Sequence, residues 1–219
     1  MFKLFKKRPQ LLSEHLMSSI FDARYVVIDT ELTGLDYKLD SIVSIGGIKM
    51  VGTRIVIGKT FYRMVNPKTK FDAKSVVIHN IVPSEVQQCP SIDEVLMEFI
   101  KFCGDDIIVG HFLNIDISFI NKELGRVLGS TLKNPKIDTW ILADWIENQN
   151  LKDVTYTDII TGQKDLVSLA KKYGIEVPAS HNALIDAYLT AQLFQRLLLQ
   201  LKNMNITTVK KLLKIGGLN

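Results

Sequence analysis

Apolar residues recur along this chain with two periods, and the places where one gives way to the other mark out its elements. Val26-Val27-Ile28 is a β-branched run of the kind that forms a short buried strand. Ser41–Val51 and Arg54–Val65 are two further β-rich runs joined at Gly52-Thr53, a hairpin signature, and Asn66-Pro67-Lys68 closes them with turn chemistry. Together the three read as an antiparallel meander. Beyond them the period lengthens. Ser91-Ile92-Asp93-Glu94 has the capping-box pattern, and Ile92, Val95, Leu96, Phe99 and Ile100 keep helical spacing as far as Gly104. Asp106–His111 predicts a second buried strand, Ile115–Leu128 a helix, Pro135–Thr139 a short strand and Trp140–Ile146 a helix. Asn148–Gln163 is polar and poorly periodic, which predicts a loop or insertion, and Leu166–Tyr173 is helical up to Gly174. The longest helix is expected over Asn182–Leu201, burying Ala183, Ala187, Ala191, Phe194, Leu198 and Leu201. At the ends, Leu11–Phe21 suits a short amphipathic helix and Thr207–Lys214 a short basic one closing at Gly216-Gly217. Strands first, then helices and strands in alternation, give an α/β domain with a mixed sheet.

Length and charge refine this to one domain with two appendages. The 219 residues suit a basic arm and short helix at 1–22, a main domain at 23–202 and a basic tail at 203–219. The net charge of +4 is an average over unlike regions. Lys3, Lys6, Lys7 and Arg8 at one end, and Lys202, Lys210, Lys211 and Lys214 at the other, have no acid among them. Without those eight, 19 basic residues face 23 acidic ones, so the body is mildly acidic and the ends could attract a polyanion or simply aid solubility. No stretch approaches the roughly 18 apolar residues of a membrane span. Glu14 and His15 interrupt the first apolar run and no small-residue cleavage site follows, so no export signal is expected. Cys89 and Cys103 form neither a metal spacing nor a disulfide framework, which suits a reduced, cytoplasmic setting.

The chemistry is concentrated where the first strand ends. Side chains alternate along a strand, so Asp29 and Glu31 point to one face. Two adjacent carboxylates repel unless a cation neutralises them or one keeps its proton, and hard oxygen ligands suit Mg²⁺ or Mn²⁺. By itself an Asp-x-Glu is more often a solvated strand end. Asp116 would sit in the first turn of its helix, where an acid is also comfortable as an end charge. His181 and Asp186 are five residues apart, about 140° around a helix, so they cannot share a face. His181 therefore belongs to the loop or cap, with Asp186 one turn inside, flanked by core-facing Ala183 and Ala187. A carboxylate placed there needs a partner, and a metal is a natural one.

As an ordered set, Asp29-x-Glu31, Asp116 and His181-x₄-Asp186 resemble the DEDDh family of 3′–5′ exonucleases. The resemblance runs from about Tyr25 to Leu201. It rests on Val27-Ile28-Asp29-Thr30-Glu31-Leu32-Thr33-Gly34-Leu35, on Val109-Gly110-His111-Phe112-Leu113-Asn114-Ile115-Asp116, and on His181-Asn182-Ala183-Leu184-Ile185-Asp186-Ala187. It implies a ribonuclease-H-like three-layer fold with a mixed five-stranded sheet. It also implies two divalent metal ions, Mg²⁺ or Mn²⁺, on Asp29, Glu31, Asp116 and Asp186, with His181 as general base. Thr30, Leu32, Thr33, Gly34 and the backbone around them would contact the terminal nucleotide, and His79 would be the substrate-side histidine. Ile137-Asp138-Thr139 is similar to a family element that is structural rather than catalytic. Asn80 and Phe112 depart from the family's usual Gly and Asn. Phe112 offers a ring that could stack on a base, although filling the core is the more ordinary task for it. The activity implied is release of nucleoside monophosphates from single-stranded DNA 3′ ends, in replication proofreading or repair, with a polymerase subunit as possible partner. The alternatives are an exoribonuclease trimming RNA 3′ ends and a non-catalytic polymerase-associated scaffold.

Overall fold

Burial on both faces explains why the first apolar run forms a strand. In β1 (Arg24–Leu32), Tyr25, Val26, Val27 and Ile28 are all within 1% of complete burial. A computed structural model provides the coordinates and describes residues 16–67, 81, 83–150, 165–178 and 182–218. β2 (Ile42–Val51) returns antiparallel to β1, and β3 (Arg54–Met64) antiparallel to β2. Their hairpin turns at Gly52, whose φ of 55° is left-handed backbone that glycine adopts without steric cost. β4 (Ile107–Gly110) then pairs parallel with β1, and β5 (Lys136–Asp138) parallel with β4. The five strands form one mixed sheet in the order β3-β2-β1-β4-β5, as expected.

Helices cover both faces, giving three layers. α1 (Pro83–Val86) is a single turn. α2 (Ile92–Cys103) and α3 (Asn114–Leu128) pack Leu96, Phe99, Ile117, Ile120 and Leu124 against Val26, Ile28 and Ile45 on one face. On the other, α4 (Thr139–Asn150), α5 (Leu166–Lys172), α6 (Ala183–Asn203) and α7 (Val209–Gly216) join Tyr25, Val27, Ile48 and Met50. There Tyr25 meets Phe194 edge-on at 5.0 Å between ring centres. All six apolar positions expected to be buried on α6 are buried.

Several local expectations are corrected. Asn148–Asn150 is not loop but the last turn of α4; the rest of the expected insertion lies outside the described residues. The helix expected to reach Phe21 stops at Met17, because Ser19 pairs with Thr208 in a β-bridge and Ile20 N–H donates to Thr207 O. The Ser91 hydroxyl contacts the Glu94 carboxylate at 3.3 Å and makes no cap bond to the α2 backbone, so only the outline of the capping box is present. The C-terminal stretch is built into the body. Val209 and Leu212 of α7 are buried in the core, and Gly217 bridges Ile137 of β5. Its lysines, Lys210, Lys211 and Lys214, remain exposed. Among the described residues, no helix is long and apolar enough to cross a membrane.

Candidate metal centre

The alternation that points Val27 into the α6 layer also points Asp29 and Glu31 there, beyond the apolar core and close to the start of α6. Asp186 occupies the first turn of that helix, its N–H donating to Asn182 O at 2.9 Å. Ligand atoms of Asp29, Glu31 and Asp186 all lie within 4.8 Å of one another. Asp116 comes from the first turn of α3, buried at 5% exposure, and accepts a 2.6 Å hydrogen bond from the Thr30 hydroxyl. The geometry therefore gathers three of the four expected carboxylates and sets the fourth beside them.

Burial, and then mutual repulsion, raises these acids. Burial pushes Asp29 well above the usual carboxylate range, and Asp116, Glu31 and Asp186 push it further. Glu31 is raised to about 7, first by burial and then by Asp186 and Asp116. Asp116 is also raised to about 7 by burial, against the opposing hydrogen bond from Thr30. Buried carboxylates that hold protons at neutral pH would surrender them to a cation. An all-oxygen donor set of this size fits a hard divalent ion.

Two features bring the start of α6 this close, and neither was among the sequence-predicted site residues. Gly46 of β2 pairs with Asp29, and a Cβ there would collide with the backbone of Ala183 and Leu184. The missing side chain lets a helix end approach the sheet, and a glycine inside a strand run was the signal available for it. Asn182 caps the helix by accepting from Leu184 N–H at 2.9 Å, and its amide donates to the Tyr62 hydroxyl of β3 at 2.9 Å. No local pattern announces that contact, which spans 120 positions.

His181 directly precedes that cap and lies, like His79, outside the described residues. The nucleotide-contact expectations need correcting in part. Leu32 packs its side chain into the α2–α3 layer. Thr33 is fully buried, its hydroxyl donating to Asp40 and accepting from Ser41 N–H. What these two can offer a ligand is backbone. Gly34 lies against the Asp40 carboxylate with no room for a side chain. Phe112 does not fill the core: it is 41% exposed, on left-handed backbone. Asp138 is structural, as expected; its carboxylate accepts from the N–H groups of Phe112, Leu113 and Trp140.

A family described as exonuclease (RNase_T) matches residues 26–194. The chain is 35% identical over 198 residues to the PolC-type DNA polymerase III of Thermotoga maritima, covering 90% of this chain but 14% of that protein. It is 31% identical to the epsilon subunit of DNA polymerase III from Aquifex aeolicus, covering 90% of each. Among solved structures, Exonuclease X in complex with 5′-overhanging duplex DNA superposes with a TM-score of 0.62 at 23% identity, over 87% of this chain and 98% of that one. The zinc-bound E. coli ExoI–single-stranded DNA complex superposes with a TM-score of 0.70 at 16% identity, over 84% of this chain and 42% of that one. These two likenesses bear on the fold.

Proposed function

Since the chain belongs to the exonuclease (RNase_T) family, we propose that it is a metal-dependent 3′–5′ exonuclease acting on single-stranded DNA and releasing nucleoside monophosphates. The observation that carries the reading is the convergence of Asp29, Glu31 and Asp186, with Asp116 beside them, inside the matched span. Those four residues would hold two divalent ions, Mg²⁺ or Mn²⁺, which supply charge stabilisation at the scissile phosphate and leaving oxygen. His181, just ahead of the Asn182 cap, accepts the proton of the attacking water at its imidazole nitrogen. The Thr30 hydroxyl holds the Asp116 carboxylate in place. Backbone from Thr30 to Gly34, together with His79, meets the terminal nucleotide.

Likeness to an epsilon subunit and to PolC-type polymerases supports proofreading beside a polymerase, in the cytoplasm, as its setting. The deciding experiment digests 3′-labelled single-stranded DNA, duplex DNA and RNA side by side with Mg²⁺, Mn²⁺ or excess chelator. Single-stranded DNA should shorten from its 3′ end in either metal and survive in chelator. Faster loss of RNA would reassign the substrate. Undiminished cleavage in chelator would overturn the metal-dependent reading.

A further inference from the structure

Phe112 presents an aromatic ring to solvent from a backbone conformation that a bulky residue rarely adopts. Its φ is 51°, in the left-handed region, where a Cβ crowds the backbone. A buried acid holds it there. Asp138, 3% exposed at the end of β5, accepts from Phe112 N–H at 3.2 Å and from Leu113 N–H at 2.9 Å. It also accepts from Trp140 N–H at 2.8 Å, so one carboxylate fixes both aromatic residues. Asp138 pays its desolvation with backbone donors, and the result is a ring turned outward rather than into the core.

That ring is rigidly backed. Phe112 lies 5.7 Å from Trp140 with the ring planes 34° apart, and 4.6 Å from His111 edge-on. His111 is itself fixed by the Thr139 hydroxyl, 2.9 Å from Nδ1. The cluster sits where the parallel strands β4 and β5 end, as Asp29 and Glu31 sit near the end of β1 in the same sheet. Leu142, Ala143 and Ile146 of α4 share the core layer of Val27 and Phe194, so Trp140 opens a helix on the face that carries the carboxylates. Two strand spacings separate β5 from β1, about 10 Å.

We propose that the outward face of Phe112, backed by Trp140 and edged by His111, is a stacking subsite for an unpaired base of the strand whose phosphate is held at the carboxylates. The proposal rests on the exonuclease reading and deepens it, since a stacked base must be free of its complement. An exposed, pre-ordered ring costs little entropy on binding and accepts any base, because every base has a π-face.

The test measures binding and cleavage of dT oligonucleotides, intact or with one abasic residue walked inward from the 3′ end. Binding is read by fluorescence anisotropy with Ca²⁺ in place of Mg²⁺, and cleavage with Mg²⁺. Phe112→Asn removes the ring with a residue that tolerates left-handed backbone, and Phe112→Tyr keeps the ring. Wild-type protein should bind at least about fivefold more weakly when the abasic residue falls at one particular position. Phe112→Asn should lose a similar factor on the intact strand and be indifferent at that position, while Phe112→Tyr behaves as wild type. KM should rise in step, with kcat nearly unchanged. Wild-type affinity in Phe112→Asn, or an abasic penalty that survives the substitution at every position, would overturn the subsite. Absence of cleavage by the wild-type protein would overturn the exonuclease reading, and the anisotropy arm would still decide the stacking.

Discussion

Asp138 closes β5 and Asp29 and Glu31 lie near the end of β1 beside Asp186 of α6, and these acids meet the cost of leaving water in opposite ways. Burial raises the Asp138 carboxyl, while backbone N–H groups of Trp140, Leu113 and Phe112 pull it back. Around Asp29, burial is joined by three further carboxylates that all push in the same direction. A buried acid surrounded by donors is a structural fastener. One surrounded by other acids is a half-built site that a cation completes. The contrast predicts that removing Asp138 costs the fold, whereas removing a clustered acid costs the chemistry and relieves the metal-free fold.

The largest effects should fall at the cluster. Asp186→Ala should lower turnover by at least about 10²-fold and weaken Mn²⁺ binding as well, since a ligand is lost. His181→Ala should lower turnover by about 10²–10⁴-fold, the usual worth of a general base, while leaving Mn²⁺ affinity nearly unchanged. Side-by-side kinetics and calorimetric metal titration separate the two roles. A His181→Ala variant whose main defect is metal affinity would make it a ligand.

Next comes the fastener. Asp138→Ala leaves three backbone N–H groups without their acceptor, a loss of about 3 kcal/mol in urea unfolding. Asp29→Asn, measured in chelator, should stabilise instead, because a neutral amide beside the other acids needs neither a bound proton nor a cation. If both variants lose stability alike, the distinction between the two kinds of buried acid fails. Gly46→Ala is an intermediate case. Its methyl would meet the backbone of Ala183, so the start of α6 must shift, at about 1–3 kcal/mol, and carry Asp186 away from Asp29. Mn²⁺ affinity should fall with stability, and retained affinity would show that the approach can be remade.

Protons give a subtler discriminator. Glu31 and Asp116 rise from ordinary values of 4.5 and 3.8 to about 7 in the folded protein. Groups raised by folding contribute stability that is present below their unfolded pKa and lost as pH climbs through the folded one. In chelator, Tm should therefore decline between about pH 4 and pH 8 by more in wild-type protein than in Glu31→Gln. Mg²⁺ should restore it at the upper end, because a bound ion takes the place of the protons. Parallel Tm–pH profiles for the two proteins without metal would contradict the coupling.

Much of this was legible in the sequence because it is local. The period-two placement of Asp29 and Glu31, the Gly52-Thr53 turn and the buried stripe of α6 each depend on residues a few positions apart. Asp116 and Asp186 became legible only as members of an ordered set. The parts that were missed depend on tertiary approach. Asp40 and Ser41 occupy the Thr33 hydroxyl, and of the two readings of Phe112, core filling and base stacking, Asp138 leaves only the outward one by holding its backbone left-handed. Helical pattern likewise said nothing of Asn148–Asn150, which stay helical despite weak periodicity.

Tyr62 is where that tertiary dependence can be tested most finely. Its hydroxyl accepts from the Asn182 amide, while the other end of that amide accepts from Leu184 N–H at the start of α6. Tyr62→Phe removes a single oxygen and leaves the ring, so the stability loss should be about 1 kcal/mol, the net worth of one hydrogen bond. The cap itself survives, because the Asn182 carbonyl keeps Leu184. What loosens is the tie between the helix start and β3, and with it the placement of Asp186 and of His181 one residue before the cap. Turnover should fall several-fold while KM for single-stranded DNA holds, and the Mn²⁺ titration should shift to weaker affinity. Asn182→Asp keeps a capping oxygen but cannot donate to Tyr62, so it should reproduce the kinetic defect. Combining the two changes should then add little, since both cut the same bond. Additive losses would mean that Tyr62 and Asn182 act separately, and that Gly46 alone sets where the helix begins.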